Sequence, residues 1–504
     1  MTGQLNSDIQ EHVEKNKLYN LLIWIVVITG LYYRFKIYFM QLSIDSGEYV
    51  RLSALQNYSF LQILKFGHSV ITAVHDPYIL LIIQKFFIQI LGDSTLAIRF
   101  IPFLFSCLSL LVFLKVKDWF IGPQASLLAT GLLAFCPVLI IRTAILEPYS
   151  TDVFVSLIVL LVIKRMSYAK LIFKESLILS FIGLVCFFFS LPSIFILMSG
   201  SLSLIIMSLF KNQRHRIFPL TLILISWVSG LFVYYIYALK YFSNTSYILQ
   251  DWSDRFLPSC YDPYLISEII GRLADLMRSR MGIPSIGGMG LMVVGSIFMW
   301  RTKRCQSLVF LSTLFMVILA SCMNKYPFYG RVLIFLIPVF ILMMASGYEF
   351  IVIRFKKNYL KWVGVLISIL IIYQPLGETQ QKLQGYSEGK GMEPIIKYIH
   401  NNYLEGDIVY YFTDDKLKLS YYKERSGFVL KNFIQGVSYM ENEKYIEEIK
   451  KLSTFKRVWV IFGRKDNLVL DIRLFEDILM RHKAKKIDSY DVYDYMCELF
   501  AFGG

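Results

Sequence analysis

The sequence is poor in charge. Of its 504 residues only 18% are Asp, Glu, Lys or Arg, whereas 56% are hydrophobic. Soluble globular chains carry about 25% charged residues and about 45–50% apolar ones. The apolar excess comes in blocks of roughly 18 residues or more, which is typical of membrane helices. An ordinary soluble protein is therefore excluded for most of the chain.

Cysteine is sparse and unpatterned. The chain has 7 cysteines, and no two of them form a CxxC pair. This excludes a zinc ribbon and a disulfide framework. Cys260 and Cys497 are the two that fall in polar segments, so a bridge between them stays open.

Familiar nucleotide and hydrolase motifs are also missing. The sequence contains no P-loop, no GxGxxG after a strand, no HExxH and no GxSxG. A phosphate ester used as an energy source would therefore have to be the substrate itself.

The formal net charge of +15 comes from basic clusters between apolar runs, not from a basic patch in a long soluble segment. Nucleic-acid binding is therefore not expected. Every second short loop carries such a cluster, as the positive-inside rule predicts for cytoplasmic loops. The clusters are Lys115/Lys117, Lys164/Arg165/Lys170/Lys174, Lys211/Arg214/Arg216, Arg301/Lys303/Arg304 and Arg354/Lys356/Lys357/Lys361.

The hydropathy pattern predicts a polytopic α-helical membrane protein with about eleven spans and a cytoplasmic N-terminus. The predicted spans are 18–40, 96–116, 124–143, 151–164, 175–190, 192–210, 217–240, 285–300, 306–323, 331–353 and 361–376.

Two domains are predicted. Residues 1–376 form the transmembrane domain, in which 41–95 is an extracytoplasmic loop. From Tyr78 this loop reads YILLIIQKFFIQILG, which is short for a span and has polar residues on one face, so we expect an interfacial helix. Residues 377–504 alternate helical and strand patterns and predict an extracytoplasmic α/β domain.

The segment QLSIDSGEYVRL places Asp45 and Glu48 just after the first span. The structural interpretation is that both acids cap a juxtamembrane helix. The functional interpretation is that a carboxylate at the lipid boundary takes a proton from an incoming hydroxyl.

His75 and Asp76 stand immediately before Pro77, which marks a helix start. The structural alternative is a helix cap. The functional hypothesis is a phosphate-orienting pair, or a divalent metal held by His75 together with Asp45.

Two outward turns carry further candidates. The turn IIRTAILEPYSTDV holds Arg142, Glu147 and Asp152, where Glu147 is either an exposed headgroup acid paired with Arg142 or a cavity residue. The turn NKYPFYGRV holds Lys325 and Arg331, which are either interfacial anchors or ligands of a lipid-linked phosphate.

Taken together, these segments resemble the GT-C polyprenyl-phosphate-dependent glycosyltransferases, that is, the bacterial relatives of protein mannosyltransferases and of the lipid A aminoarabinose transferase. Asp45 matches the Asp of the family's Asp-Glu pair, although Ser46 stands where the Glu would be. Further matching stretches are HDPYILLIIQKFFIQILGDSTLAIRFIP, ILEPY with Glu147, Tyr149 and Asp152 before the next span, YPFYGRVLIFLIP, and EPIIKYIHNNYLEGDIVYYF.

The resemblance implies a GT-C fold and an inverting transfer of a sugar from a polyprenyl-phosphate donor to an acceptor hydroxyl of a glycan, lipid or protein. It implies catalytic roles for Asp45 and Glu147. It also implies a substrate-binding set made of His75, Asp76, Arg331, Lys325, Glu48 and Tyr149.

No organic cofactor is expected beyond the donor, and a divalent metal is left open. The expected location is a bacterial inner membrane, with the C-terminal domain extracytoplasmic. Two other interpretations stay open at this point: a polytopic transporter or flippase of lipid-linked sugars, and a catalytically altered GT-C relative.

Overall fold

The computed structural model describes residues 2–40, 44, 46–65, 76–168, 171–239, 253–353, 358–387, 392–412, 433–436, 442–463, 469–492 and 495–502. The chain divides into two compact units. The first comprises Met1–Phe39 and Leu55–Gln380, and the second comprises Met40–Ala54 and Gln381–Gly504.

The described residues up to Ser387 form helices joined by turns. The helices are α1 Thr2–Phe39, α2 Ser46–Asn57, α3 Phe60–Lys65, α4 Tyr78–Leu91, α5 Thr95–Phe120, α6 Pro123–Ala134, α7 Pro137–Ile141, α8 Tyr149–Tyr168, α9 Phe173–Phe189, α10 Ser193–Phe210, α11 Ile217–Tyr234, α12 Leu265–Asp275, α13 Ser285–Thr302, α14 Arg304–Cys322, α15 Ile337–Ile353 and α16 Asn358–Ser387.

Within the described ranges, 7 helices are long and apolar enough to cross a membrane, and up to 9 spans result if each of two bent pairs counts as one. The predicted polytopic helical membrane protein is therefore confirmed, and the chain is an integral membrane protein. The number of about eleven spans stays a prediction. The predicted helix from Tyr78 is α4, which at Tyr78–Leu91 belongs to the shorter apolar helices.

One pair of transmembrane helices packs unusually closely. In α13 a side chain at Gly295 would overlap the Met343 carbonyl of α15, and one at Gly347 would overlap the Leu291 carbonyl of α13. Small residues at such a crossing let two backbones touch, which supplies packing where lipid offers no hydrophobic driving force. This contact fixes the position of α15, which begins directly after the turn at 330–336.

A break between α6 and α7 precedes the turn that begins at Arg142. The two helices bend by 45° around Phe135 and Cys136, and Pro137 opens α7. The break leaves carbonyls at the end of α6 without intrahelical partners. Arg34 of α1, fully buried, donates to the carbonyls of Ala134 at 2.8 Å and Leu133 at 3.3 Å.

Arg34 also ties this break to α5. Its Nε donates to Ser106 Oγ at 3.0 Å, and Ser106 is in turn hydrogen-bonded to Thr143 Oγ1 at 2.7 Å. Thr143 belongs to the short 3₁₀ helix Arg142–Ala144 that follows α7. A single buried guanidinium therefore supports the backbone from which the next turn is built.

Replacing Arg34 by methionine should destabilise the first unit. The change leaves the carbonyls of Ala134 and Leu133 buried without their donor, at about 1–3 kcal/mol for each unsatisfied group. We expect a lower free energy of unfolding by at least about 2 kcal/mol, measured by thermal unfolding in detergent. The exposed Arg165→Met is the matched control, and equal stability of the two variants would contradict the capping role.

The second unit contains a five-stranded mixed sheet. Its elements are α17 Glu393–Asn402, β1 Ile408–Phe412, β2 Phe433–Gln435, α18 Asn442–Leu452, β3 Arg457–Gly463, α19 Val469–Arg481, β4 Ala484–Asp491 and β5 Tyr495–Phe502. The strand order is β2-β1-β3-β5-β4, parallel among β2, β1 and β3 and antiparallel at β3–β5 and β5–β4. The predicted C-terminal α/β fold is confirmed.

This sheet has a continuous apolar core. Alternate residues of β1 and β3, among them Tyr410, Phe412 and Val460, pack with Tyr445 of α18 and Phe475 of α19. Strand β1, and β3 from Val458 onward, consist of apolar and aromatic residues, as expected for central strands that are buried on both faces.

Two carboxyl groups meet beside this core and make the stability of the second unit depend on pH. Burial and a hydrogen bond with the Glu498 carboxyl raise the pKa of Glu476 from 4.5 to about 7, although Lys486 opposes the shift. The folded chain thus keeps a proton that the unfolded chain has already released. The contribution of this carboxyl group to stability is therefore fully present below about pH 4.5 and is lost as the pH rises through about 7.

Replacing Glu476 by glutamine removes this titration. We expect the variant to lose less stability than the wild type between pH 5 and pH 8, by on the order of 1–2 kcal/mol after allowance for the partial exposure of the group. Thermal unfolding in that pH range measures the effect. Identical pH profiles for the two proteins would show that the carboxyl pair does not share a proton.

Candidate active site

The turn between α7 and α8 brings three polar side chains together. Arg142 opens the 3₁₀ helix Arg142–Ala144, and its carbonyl accepts a hydrogen bond from Ser150 Oγ at 3.0 Å. Tyr149 begins α8, with Glu147 two residues before it. The Glu147 side chain is only 2% exposed, so its charge needs a partner.

Glu147 has two cationic partners. One carboxylate oxygen forms an ion pair with Arg142, and the other accepts from Arg331 Nη1 at 3.2 Å. The Tyr149 ring lies 5.2 Å from the Arg142 guanidinium and 6.0 Å from that of Arg331. Two arginines are thus gathered around one carboxylate and one aromatic ring.

Arg331 is supplied by a distant part of the chain. Gly330 adopts φ +49°, a left-handed conformation that favours glycine, and opens the 3₁₀ helix Gly330–Leu336. This turn leads directly into α15. The Arg331 side chain is 45% exposed even with its ion pair, so donors of its planar fork remain available for an anion.

Buried acids lie beyond the arginines. Asp152 is buried in the first turn of α8 and accepts a hydrogen bond from Ser190 Oγ at 2.6 Å. Asp76, also buried, is close enough to Asp152 for the two charges to interact. Tyr326 is close enough to both Asp152 and Tyr149 to interact electrostatically with each of them.

The remaining predicted residues are placed as follows. Asp45 and His75 lie outside the described residues, so their predicted roles stay predictions. Glu48 is buried in α2, in the second unit. Lys325 is exposed in the turn after α14 and has no ion pair within the described ranges.

No set of three or more His, Cys, Asp and Glu side chains that could hold a metal ion occurs among the described residues. Asp76 and Asp152 alone do not make such a set. The predicted metal candidates Asp45 and His75 lie outside the described residues, so a divalent metal stays a prediction.

Two supporting residues were not singled out from the sequence. Arg34 holds the break behind the turn, and Ser190 holds Asp152. An arginine inside an apolar run is costly and generally marks a site or a buried contact. The sequence could therefore have indicated that Arg34 has a structural or functional role. Ser190 carried none, because serine is common in transmembrane helices.

Neither a family model nor a curated protein matches the sequence. Solved structures similar to the chain include ArnT from Cupriavidus metallidurans in the apo state, with a TM-score of 0.49, 11% identity and coverage of 97% of this chain and 98% of that chain. The same protein bound to undecaprenyl phosphate gives a TM-score of 0.45, 12% identity and coverage of 96% and 97%.

A third similar structure is the Archaeoglobus fulgidus oligosaccharyltransferase tethered with an acceptor peptide. It has a TM-score of 0.49, 10% identity and coverage of 96% of this chain and 74% of that chain. At these TM-scores and identities the likeness assigns neither a reaction nor a site residue to this chain.

Proposed function

We propose that the chain is a GT-C glycosyltransferase that moves a sugar from a polyprenyl-phosphate donor to an acceptor hydroxyl on the extracytoplasmic face, with inversion. The observation that carries the proposal is the pair of arginines around Glu147, one of which keeps 45% of its side chain exposed. A lipid-linked phosphate is the ligand that such a pair, on a bundle of apolar helices, fits best.

The leaving group of the reaction is a phosphate. When the bond between the sugar C1 and the phosphate oxygen breaks, its electron pair stays on that oxygen, and negative charge develops there. Cations that are already in position stabilise such charge effectively, because the site does not have to reorganise during the reaction. Arg331 is the proposed primary contact, Arg142 the second, and Lys325 a further cation near the same turn.

Glu147 holds the two arginines in this proposal. Its carboxylate already accepts from both guanidiniums and is 2% exposed, so it is poorly suited to take a proton from a substrate. Its role is to keep the Arg142 and Arg331 forks near one another without charge repulsion. Tyr149 adds a ring surface against which both guanidiniums pack.

The acceptor hydroxyl needs a base. The resemblance assigns this role to Asp45, which would take the hydroxyl proton while the acceptor oxygen forms the new bond to C1. A single displacement inverts the anomeric centre and needs no enzyme nucleophile. Asp76 and Asp152 are proposed to bind hydroxyl groups of the sugar or acceptor, with His75 and Glu48 as further contacts from the resemblance.

The membrane supplies the rest of the geometry. A polyprenyl tail stays in the bilayer while its phosphate reaches the arginines at the end of the bundle. In this proposal that end faces the extracytoplasmic side of a bacterial inner membrane, and the positive-inside pattern favours an N-terminus in the cytoplasm. The acceptor would be a cell-envelope glycan, a lipid or a protein.

The test compares cell-envelope glycans, lipids and glycoproteins from cells with and without the gene, complemented by the wild type or by Asp45→Asn. The proposal predicts that one sugar modification disappears on deletion, returns with the wild type and does not return with Asp45→Asn. If lipid-linked sugar instead accumulates on the cytoplasmic face, or if Asp45→Asn complements fully, a transporter explains the data better.

A further inference from the structure

Two cysteines that the sequence places 62 positions apart meet in the first unit. Cys260 is exposed in the loop before α12, and Cys322 is the half-buried last residue of α14. Their thiols are close enough to each other to interact electrostatically. The sequence had left open a pairing of Cys260 with Cys497, but Cys497 is fully buried in β5.

The two cysteines are kept near each other by more than their own side chains, because hydrogen bonds hold the backbone around them. Leu257 N–H donates to Ser321 Oγ at 2.9 Å, which ties the loop to the residue before Cys322. Phe328 N–H donates to the Arg255 carbonyl at 3.0 Å, so the same loop also holds the turn that follows α14.

Arg272 of α12 reinforces this loop from the other side. Its guanidinium donates to the carbonyls of Asp254 at 3.1 Å, Arg255 at 2.7 Å and Phe256 at 2.9 Å. A further hydrogen bond of 3.3 Å runs to the Phe328 carbonyl. The loop that carries Cys260 is therefore held by hydrogen bonds both at the end of α14 and at α12.

The charge pattern decides which compartment this end of α14 faces. α14 starts at Arg304, next to Arg301 and Lys303, which form one of the basic clusters expected in the cytoplasm. Cys322 lies at the opposite end of the same helix and hence on the extracytoplasmic side. Disulfides form and persist in that kind of compartment.

We infer that Cys260 and Cys322 form a disulfide that fastens the 253–264 loop to the end of α14. The inference rests on the orientation proposed above and not on the reaction. It concerns the support of the turn carrying Arg331, since the loop holds Phe328 three residues earlier.

The chemistry is a thiol–disulfide exchange with an external disulfide. The exposed Cys260 thiolate attacks that disulfide, a mixed disulfide forms, and one thiolate leaves. The Cys322 thiolate then attacks the Cys260 sulfur and expels the second thiol. Two protein thiols are oxidised, the external disulfide is reduced to two thiols, and the two protons pass to them.

The test uses the full chain in native membranes. Membranes are quenched in acid, denatured with an excess of N-ethylmaleimide, reduced, and treated with a polyethylene-glycol maleimide that retards the protein on a gel. We expect the wild type to gain two adducts only when the reduction step is included, and Cys260→Ser and Cys322→Ser each to gain none. No adduct on the wild type after reduction would overturn the inference.

Sidedness is measured independently on the Cys322→Ser variant, which leaves Cys260 unpaired in an exposed loop. A membrane-impermeant maleimide applied to intact cells should label Cys260 in this variant and not in the wild type. Labelling of the variant only after permeabilisation would place the loop in the cytoplasm and overturn the proposal. Neither readout depends on sugar transfer, so a failure of the proposed function leaves both interpretable.

Discussion

Arg331→Ala is expected to lower kcat/KM for a polyprenyl-phosphate sugar by about 10²- to 10³-fold, the usual cost of removing one preorganised donor from developing negative charge. The Arg331 side chain is 45% exposed even in its ion pair with Glu147, so we expect the variant to fold. Initial rates with purified protein in nanodiscs measure the effect.

Two variants sharpen this experiment. Arg331→Lys keeps the charge but loses the planar fork, so its kcat/KM should lie between those of the wild type and Arg331→Ala. Arg165→Ala is the matched control, because Arg165 also pairs with a single glutamate, Glu175, at 2.7 Å and is 66% exposed. An Arg331→Ala rate within a factor of two or so of the Arg165→Ala rate would remove Arg331 from the site.

Glu147→Gln is expected to cost about 3–5 kcal/mol in the free energy of unfolding, because it leaves a buried charge without its partner. Arg142, with a side chain 13% exposed, would face Arg331 across a neutral amide instead of a shared carboxylate. Denaturant or thermal unfolding in detergent measures the loss, and donor affinity should fall as well because the two forks separate.

The double variant Arg142→Met/Glu147→Leu separates a positioning role from a catalytic one. Replacing both members of a buried pair by apolar residues costs less than removing one, so the double variant should be more stable than Glu147→Gln while binding donor poorly. Glu175→Gln, which breaks the more exposed pair with Arg165, should change stability by less than about 1 kcal/mol. A stable Glu147→Gln protein that binds donor normally and fails only in turnover would make Glu147 a proton acceptor after all.

The apolar helices could be located from the sequence because each consists of a run of hydrophobic residues. The predicted 96–116 is α5, at Thr95–Phe120, and the predicted 192–210 is α10, at Ser193–Phe210. The predicted span 124–143 is instead a bent pair of helices. Hydropathy does not report that break, because Phe135 and Cys136 are as apolar as their neighbours.

In the second unit, the apolar, β-rich runs at 408–412 and 457–462 are typical of strands and form β1 and β3. Strand β4 shows no such pattern. Its sequence AKKIDSYD is mostly exposed and charged, as edge strands often are, and its place is set by pairing with β5 rather than by its own residues.

Single residues of the candidate site could be singled out from the sequence, but their contacts with one another could not. The acid before proline, Glu147, and the arginine that opens the late span, Arg331, were both singled out, and Arg142 was considered as an ion-pair partner of Glu147. The pairing of Glu147 with Arg331 spans 184 positions and follows from how α8 and the 330–336 turn pack. Single-sequence patterns carry no information on such contacts.

The proposed reaction breaks the bond between a sugar and a polyprenyl phosphate. The decisive experiment measures the release of polyprenyl phosphate from a radiolabelled donor by purified protein in nanodiscs, with an extract of cell-envelope acceptors. We expect one polyprenyl phosphate released for each sugar transferred by the wild type, and release slowed at least about 100-fold by Arg331→Ala. Intact donor recovered after incubation of the wild type with acceptors from its own cells would contradict the proposal.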